Sequence, residues 1–306
     1  MNLKSTQKEI IILRHNGGQL GNQLLLYTSI YAYCLEKGYK CINYSFYEYN
    51  KYFQLETRNF LIWIFEKLSN LRLYKRRVII YLIYKYVSYL LQIFKKGQIV
   101  KEDPLNLFYL PPTPINTTEH RKIISRIENS SDKSIYIDGW TFRNPVGLKK
   151  YRKEIIKIFQ PKEEIIKKVR EFLEPLKEKY SLIGVHIRQG EYKSKKFMKG
   201  EWFFNEKEVA NILRSYLKKE SKNPEKTLFI LCSDEPLDIS CFSGLKIQIG
   251  LGSIMEDLIT LSMCNAIIGS NSTFGSFSAY IGNIPFFIFD RKKKLIIAKG
   301  NNLMQG

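Results

Sequence analysis

Histidine is nearly missing from this chain: its 306 residues hold three, His15, His120 and His186. Cysteine is thin as well, with Cys34, Cys41, Cys232, Cys241 and Cys264, and none of them forms a CxxC pair. That supply is too small and too scattered for a zinc site of ordinary ligand spacing. All but Cys241 lie in apolar or helix-like surroundings, so they read as reduced core thiols, not a disulfide framework, and favour a cytoplasmic setting. The polar start MNLKSTQKEI, followed by a very short apolar IIIL, argues against a secretory leader. No DxD pair is available to hold a divalent metal. Acid is scarce overall: 29 Asp and Glu stand against 49 Lys and Arg, for a formal charge of +20. Such an excess suits an anionic partner, whether nucleic acid, a lipid surface or a phosphorylated substrate. The aromatic, glycine-loop and zinc-knuckle signatures of nucleic-acid modules are absent, so nucleic acid is not the expected partner.

Long apolar runs are lacking too, with one exception. VIIYLIYKYVSYLLQIF, residues 78–94, carries Lys85 at its centre and is at the short edge of a membrane-spanning length. It lies within residues 60–101, which hold nine basic residues and one acid, Glu66. Lys85, Ser88 and Gln92 share one stripe at helical spacing. The plainer reading is a core helix with a solvated basic stripe. The sharper one is a helix lying on an anionic membrane, peripheral to the inner face of the cell membrane.

The rest of the chain alternates. EIIILRH, a GGQLGNQ turn, LLLYTSIYAYCLEKG and CINYSF read as strand, turn, helix and strand, with the helix stopping at Gly38. DPLNLFYLPPTPIN is a proline-rich connector, and SIYIDGWTFRN is a strand ending in an aromatic turn. KKYRKEIIKIFQPKEEIIKKVREFLEPLKEKY gives charged helices broken near Pro161. After these, SLIGVHI, TLFILCS, LKIQIG, NAIIGS and IPFFIFD read as strands. EKEVANILRSYLKK, MEDLITLSMC and TFGSFSAYIG read as helices. Strand–helix alternation predicts an α/β chain whose C-terminal part is a parallel sheet with helices on both faces. The expected division is 1–150 and 151–306, with residues 60–101 as a basic, aromatic helical insertion in the first.

Three of those strands end in polar clusters: HIRQGEYK after Val185, SDEP from Ser233, and GSNSTFGS from Gly269. Ligands of open parallel sheets bind outside the carboxyl ends of strands, so three such ends define a candidate site. Arg188 supplies a planar, permanently charged fork suited to phosphate. Gly190 lets backbone approach a ligand closely. Ser270, Asn271, Ser272 and Thr273 enter a helix whose first N–H groups can cradle a pyrophosphate. Asp234 and Asp257 can accept from a ribose or a guanine edge. Each also has a structural reading: an ion pair of Arg188 with Glu191 or Asp234, a plain N-cap at Ser272, a satisfied core His186.

Four motifs in order then resemble one family. GGQLGNQ is similar to its G-x-(L/F)-G-N-Q signature and HIRQGEY to its H-x-R-x-G-D-Y motif. DGWTFRN resembles its G-(Y/F/W)-x-Q-(S/N) segment, and EDLITLSMCNAIIGSNSTFGSFSAYIGN its closing acidic helix and Ser/Thr-rich strand end. The family is glycosyltransferase family 11, the α-1,2-fucosyltransferases, and the likeness spans most of the chain outside about 50–130. It implies a GT-B-like fold, two Rossmann-like domains facing a cleft, with an acceptor-side N-terminal domain and the sugar nucleotide in the C-terminal one. It implies GDP-fucose as donor, a glycan hydroxyl as acceptor, inversion, and no metal or other cofactor. On the matching positions, Arg188 would hold and stabilise the departing diphosphate and His186 would help seat the donor. Ser272, Thr273 and Phe274 would line the phosphate and fucose end, and Gly21 and Asn22 would close over it. Trp140 would sit near the acceptor. Glu191 is the candidate general base or, equally, the partner that orients Arg188. Departures are Gln19 and Gln189 where the family carries arginine, Glu191 for its Asp, and TFGSFSAYI without its tryptophans. A transferase of the same build using another nucleotide sugar stays open.

Overall fold

Strands β1 (Glu9–Leu13), β2 (Lys40–Asn43), β3 (Gln98–Lys101) and β4 (Ser134–Asp138) make a four-stranded sheet in the order β2-β1-β4-β3, every pair parallel. The computed structural model describes residues 7–13, 19–55, 60–69, 76–95, 97–101, 118–139, 142–194 and 198–298. The proline-rich connector, Trp140 and the two glycines opening GGQLGNQ lie outside them. Ile10 to Leu13 and Ile135 to Ile137 are buried without interruption. A strand covered on both faces leaves no room for polar alternation, so it reads as a plain apolar run.

The chain divides into two compact units between Pro161 and Lys162. In the first, α1 (Leu20–Lys37) ends where Gly38 takes a left-handed conformation, φ 67°, which favours glycine. β2 is shorter than CINYSF suggests. Asn43 Oδ1 accepts from Ser45 N at 2.9 Å and Ser45 Oγ at 2.6 Å, and this local turn bends Tyr44–Phe46 out of the sheet. Helices α2 (Tyr47–Asn50), α3 (Phe60–Ser69), α4 (Arg76–Lys95) and α5 (Thr118–Asn129) precede β4. After it come α6 (Pro145–Lys150) and α7 (Arg152–Ile158). Phe159 meets the Tyr27 ring edge-on at 4.8 Å, which ties the end of α7 to α1 and carries the division past the expected residue 150.

The long apolar run corrects one expectation. Helix α4 is not a core helix with a solvated basic stripe. Ile80, Tyr84 and Ser88 are buried, the first two packed with Ile62 and Phe65 of α3 and with Tyr47. The opposite side exposes Val78, Leu82, Tyr86, Tyr89, Ile93 and Phe94 to solvent. Lys85 is exposed while Ser88 points inward, so the supposed stripe is split. The run is continuous because one of its faces is core and the other is apolar surface.

The second unit opens with α8 (Glu163–Lys177), which buries Ile166, Val169 and Leu173 and leaves its charges in solvent. β5 (Ser181–Ile187), α9 (Glu206–Lys219), β6 (Thr227–Ser233), β7 (Ile247–Ile249), α10 (Ile254–Ser262), β8 (Ala266–Gly269), α11 (Thr273–Gly282), β9 (Phe286–Asp290) and β10 (Lys294–Ala298) come after it. The sheet order is β10-β9-β8-β5-β6-β7, parallel throughout except where β10 returns antiparallel to β9. The expected parallel sheet is present, and β10 adds an edge that the charged sequence RKKKLIIAKG does not announce. From β5 the chain runs outward through β6 and β7, then returns to the other side of β5 as β8 and β9. β5 is therefore the point where strand order reverses, the usual binding crevice of an open α/β sheet.

Candidate active site

The three polar strand ends picked out in the sequence are neighbours. β5 lies between β6 and β8, with His186 opposite Cys232 on one side and Gly269 on the other. As β5 ends, Arg188 N donates to Ser270 Oγ at 2.9 Å, and Gln189 N donates to Asp234 Oδ1 at 2.7 Å. In return Ser270 N donates to the His186 carbonyl at 2.9 Å. The loop leaving β5 is thus pinned from both flanking strands before any ligand arrives.

Arg188 sits at the centre, its side chain only 12% exposed. Nη1 lies 3.1 Å from Asp234 Oδ2 and Nη2 lies 3.0 Å from Glu191 Oε1. The guanidinium carbon is 6.0 Å from the Tyr192 ring centre, at the outer range of a cation–π contact. Tyr192 is buried and donates from its hydroxyl to the Asn271 carbonyl at 2.8 Å. Burial pushes this phenol well above its ordinary range, so it stays a donor. Tyr192 was not among the sequence candidates. The aromatic in GEYK was the available signal, overshadowed by its charged neighbours.

Gly190 does admit a close approach, but of the protein itself. A Cβ there would lie 2.7 Å from Asp234 Oδ2. The glycine keeps room for the carboxylate that grips Arg188. Gln189, in the place of an expected arginine, is buried and donates from Nε2 to Glu206 Oε1 at 2.8 Å.

His186 is buried, with its ring tilted against Phe274 at 5.0 Å and its Nδ1 3.1 Å from Ser272 Oγ. Burial and then the Arg188 charge push its pKa down to about 3, so the imidazole is neutral near pH 7. It acts as a hydrogen-bonding spacer between β5 and the start of α11. Ser272 is the N-cap of α11: its Oγ accepts from Gly275 N at 3.2 Å. Thr273 and Phe274, half-buried, occupy the first turn, where backbone N–H groups and the helix dipole favour an anion.

Asp257 stands beside this cluster. It is buried at the start of α10, where Oδ1 accepts from Gly252 N at 3.0 Å, and burial raises its pKa. It lines an open, shallow pocket together with Leu231, Ser233, Leu237 and Ile249. Glu235 of the β6 end borders the same pocket. Gly21 and Asn22 fall in the first turn of α1, in the other unit. Among the described residues, no group of three or more His, Cys, Asp or Glu could hold a metal ion.

A model of the family described as Glycosyl transferase family 11 matches residues 131–284, about half of the chain. Among curated proteins, none matches. Among solved structures, Arabidopsis thaliana FUT1 in complex with GDP is similar, with a TM-score of 0.58 and 12% identity, over 97% of this chain and 75% of that one. The NodZ α-1,6-fucosyltransferase soaked with GDP-fucose gives a TM-score of 0.56 and 14% identity, over 95% of this chain and 99% of that one. NodZ is from Bradyrhizobium. At such identities the likeness is one of fold, and it agrees with the GT-B-like α/β architecture expected from the motifs. The family match takes in the sheet reversal at β5, Arg188 between its carboxylates and the capped start of α11, and by it this chain belongs to glycosyltransferase family 11.

Proposed function

We propose that the chain moves L-fucose from GDP-fucose to a hydroxyl of a glycan acceptor, with inversion at the sugar carbon. The acceptor is a galactose in a bacterial surface polysaccharide or oligosaccharide, and the linkage is α-1,2. One observation carries this reading: a guanidinium held at the reversal point of a parallel sheet, next to a capped helix start. Solved structures of similar fold hold GDP or GDP-fucose, which supports the same donor here.

In the reaction the acceptor hydroxyl oxygen bonds to the fucose carbon and releases its proton to water as that carbon's bond to the β-phosphate oxygen breaks. The electron pair of the broken bond ends on the diphosphate. Arg188 and the N–H groups opening α11 supply the positive field for that charge, so transfer is proposed to need no metal. Arg188 already carries two carboxylates, and the dianion competes with them for its N–H donors. Glu191 is the one free to swing, its side chain 54% exposed, whereas Asp234 is also fixed by Gln189 N. Glu191 orients Arg188, the role its position supports over that of general base. His186 sets the distance between β5 and α11. Asp257 offers a carboxylate to the base: guanine presents two adjacent N–H donors, which neither uracil nor cytosine does. Gly21 and Asn22, at the start of α1, are proposed to meet the sugar or pyrophosphate, and Trp140 the acceptor.

A second reading has one observation behind it. Gln189 replaces a cation, and its amide is engaged by Glu206. That fits a donor whose sugar differs from fucose. The test is a screen of nucleotide sugars for nucleotide release, paired with calorimetry of GDP, UDP and CDP. The proposal expects GDP to bind best and GDP-fucose with a galactoside to give fucosylated product, with activity surviving a chelator. Tighter UDP binding would remove the guanine assignment, and turnover of GDP-mannose alone would favour the second reading.

A further inference from the structure

The donor site uses none of the insertion between β2 and β3, yet that insertion holds the most unusual surface of the chain. On α4, Val78, Leu82, Tyr86, Tyr89, Ile93 and Phe94 are 53% to 80% exposed, the first five recurring every three or four residues along one side. On α3, Phe60 and Trp63 are also exposed and stack at 6.0 Å, with Lys67 Nζ 5.9 Å from the Trp63 ring. Both helices have already buried their other sides against one another and against Tyr47. A contiguous apolar face left over after the core is complete marks a contact surface.

Charge decides what covers it. Residues 60–101 contain nine basic residues and one acid. That acid, Glu66, is buried and accepts from Asn50 Nδ2 at 2.5 Å. In sequence, Arg76 and Arg77 open α4 and Lys95 closes it, bracketing the apolar row, while Lys85 stands exposed at its middle. A second copy of the chain would bring the same positive segment into contact with this one and be repelled. A bilayer with anionic headgroups matches both features: apolar side chains enter the acyl boundary, Tyr and Trp rings sit at headgroup level, and lysines reach to phosphates. A spanning helix is a different matter, since among the described residues no helix is long and apolar enough to cross a membrane.

We propose that the outward faces of α3 and α4 dock this enzyme flat on an anionic phospholipid bilayer. The surface lies in the first unit and does not depend on which sugar nucleotide the second unit binds. The test is sedimentation of the full chain with vesicles of phosphatidylcholine alone and of phosphatidylcholine mixed with phosphatidylglycerol. Binding is expected to the mixed vesicles, at least tenfold tighter than to the neutral ones, and to weaken as salt rises. The triple variant Leu82→Ser, Tyr86→Ser, Ile93→Ser is expected to lose tenfold or more in vesicle binding at an unchanged melting temperature. If that variant does not fold, Lys85→Glu, a change at an exposed position, carries the test with a loss of a few-fold. No binding to either vesicle, equal binding to both, or unchanged binding by the folded variants overturns the proposal. So does a dimer in solution that the same substitutions dissolve, which would assign the face to a second copy.

Discussion

β1 and β5 are both interior strands, each paired in parallel with a strand on either side. Around β5 the chain builds outward on both sides, through β6 and β7 and then β8 and β9, whereas beside β1 it passes to the far edge at β3 and returns inward as β4. In sequence an arginine follows each of the two at once, Arg14 after β1 and Arg188 after β5. At the end of β5, His186 within the strand and Arg188 just past it meet Glu191 of the next turn and Asp234 from the end of β6, braced from β6 and β8. At the start of α1 the described side chains are uncharged: Gln19, Leu20, Gly21 and Asn22. The first unit concentrates its charge in the insertion beyond β2, around an apolar face. Strand order therefore fixes where a ligand can sit, while the residues placed there decide whether charge can be neutralised.

The sharpest way to break this comparison is to remove the cation. Arg188→Ala should lower the transfer rate by about 10² to 10³, the order expected when a group stabilising a leaving charge is lost. Asn22→Ala, in the first turn of α1 in the first unit, should cost far less. Initial rates with GDP-fucose check both, and equal losses would erase the asymmetry.

Asp234→Asn comes next. The amide oxygen can still accept from Gln189 N, so the loop is kept while one charge on Arg188 is lost. We expect roughly a tenfold fall in kcat/KM, the scale of one weakened charged hydrogen bond. A positioning role predicts that the loss disappears when the substitution is repeated in Arg188→Ala, a coupling that a double-mutant cycle reads directly.

His186 gives a pH signature to the second unit. Its folded pKa, about 3, lies below the ordinary histidine value of 6.5. Above that value both folded and unfolded forms are neutral. As pH falls through it the unfolded chain takes a proton that the folded one refuses, so stability is lost down to about pH 3. The loss is on the order of 5 kcal/mol. His186→Asn should flatten this part of the stability profile in acid denaturation curves, and an unaltered profile would show that the ring is not held neutral.

The smallest effect expected is that of Tyr192→Phe. It deletes the hydroxyl bonded to the Asn271 carbonyl, leaving the ring beside Arg188, at a cost of about 1 kcal/mol in stability. Thermal unfolding checks the stability, and kcat/KM should fall only a few-fold.

Much of this unit was legible from sequence. SLIGVHI, TLFILCS and NAIIGS are strands because they are apolar runs of strand length ended by polar residues. EKEVANILRSYLKK is a helix with a capping box made by Asn205 and Glu208, a signal carried within a single turn. Other features were not legible. β10 is not announced because its short apolar stretch LIIA directly follows the basic run RKKK. Gly190 looked like an opening for a ligand, and its neighbour turned out to be Asp234, from the end of a different strand. The α4 run read as core because periodicity reports that a face is apolar, not what lies against it.

By itself the sequence determined most strands and helices of the second unit and the three polar strand ends, since period and capping act over a few residues at a time. Only the tertiary structure decided that those ends adjoin, that Arg188 is shared by Asp234 and Glu191, that Gln189 turns to Glu206, and that one side of α4 stays uncovered. Those outcomes depend on strand order and on packing between residues distant along the chain, where the spacing of residues in sequence carries no distance.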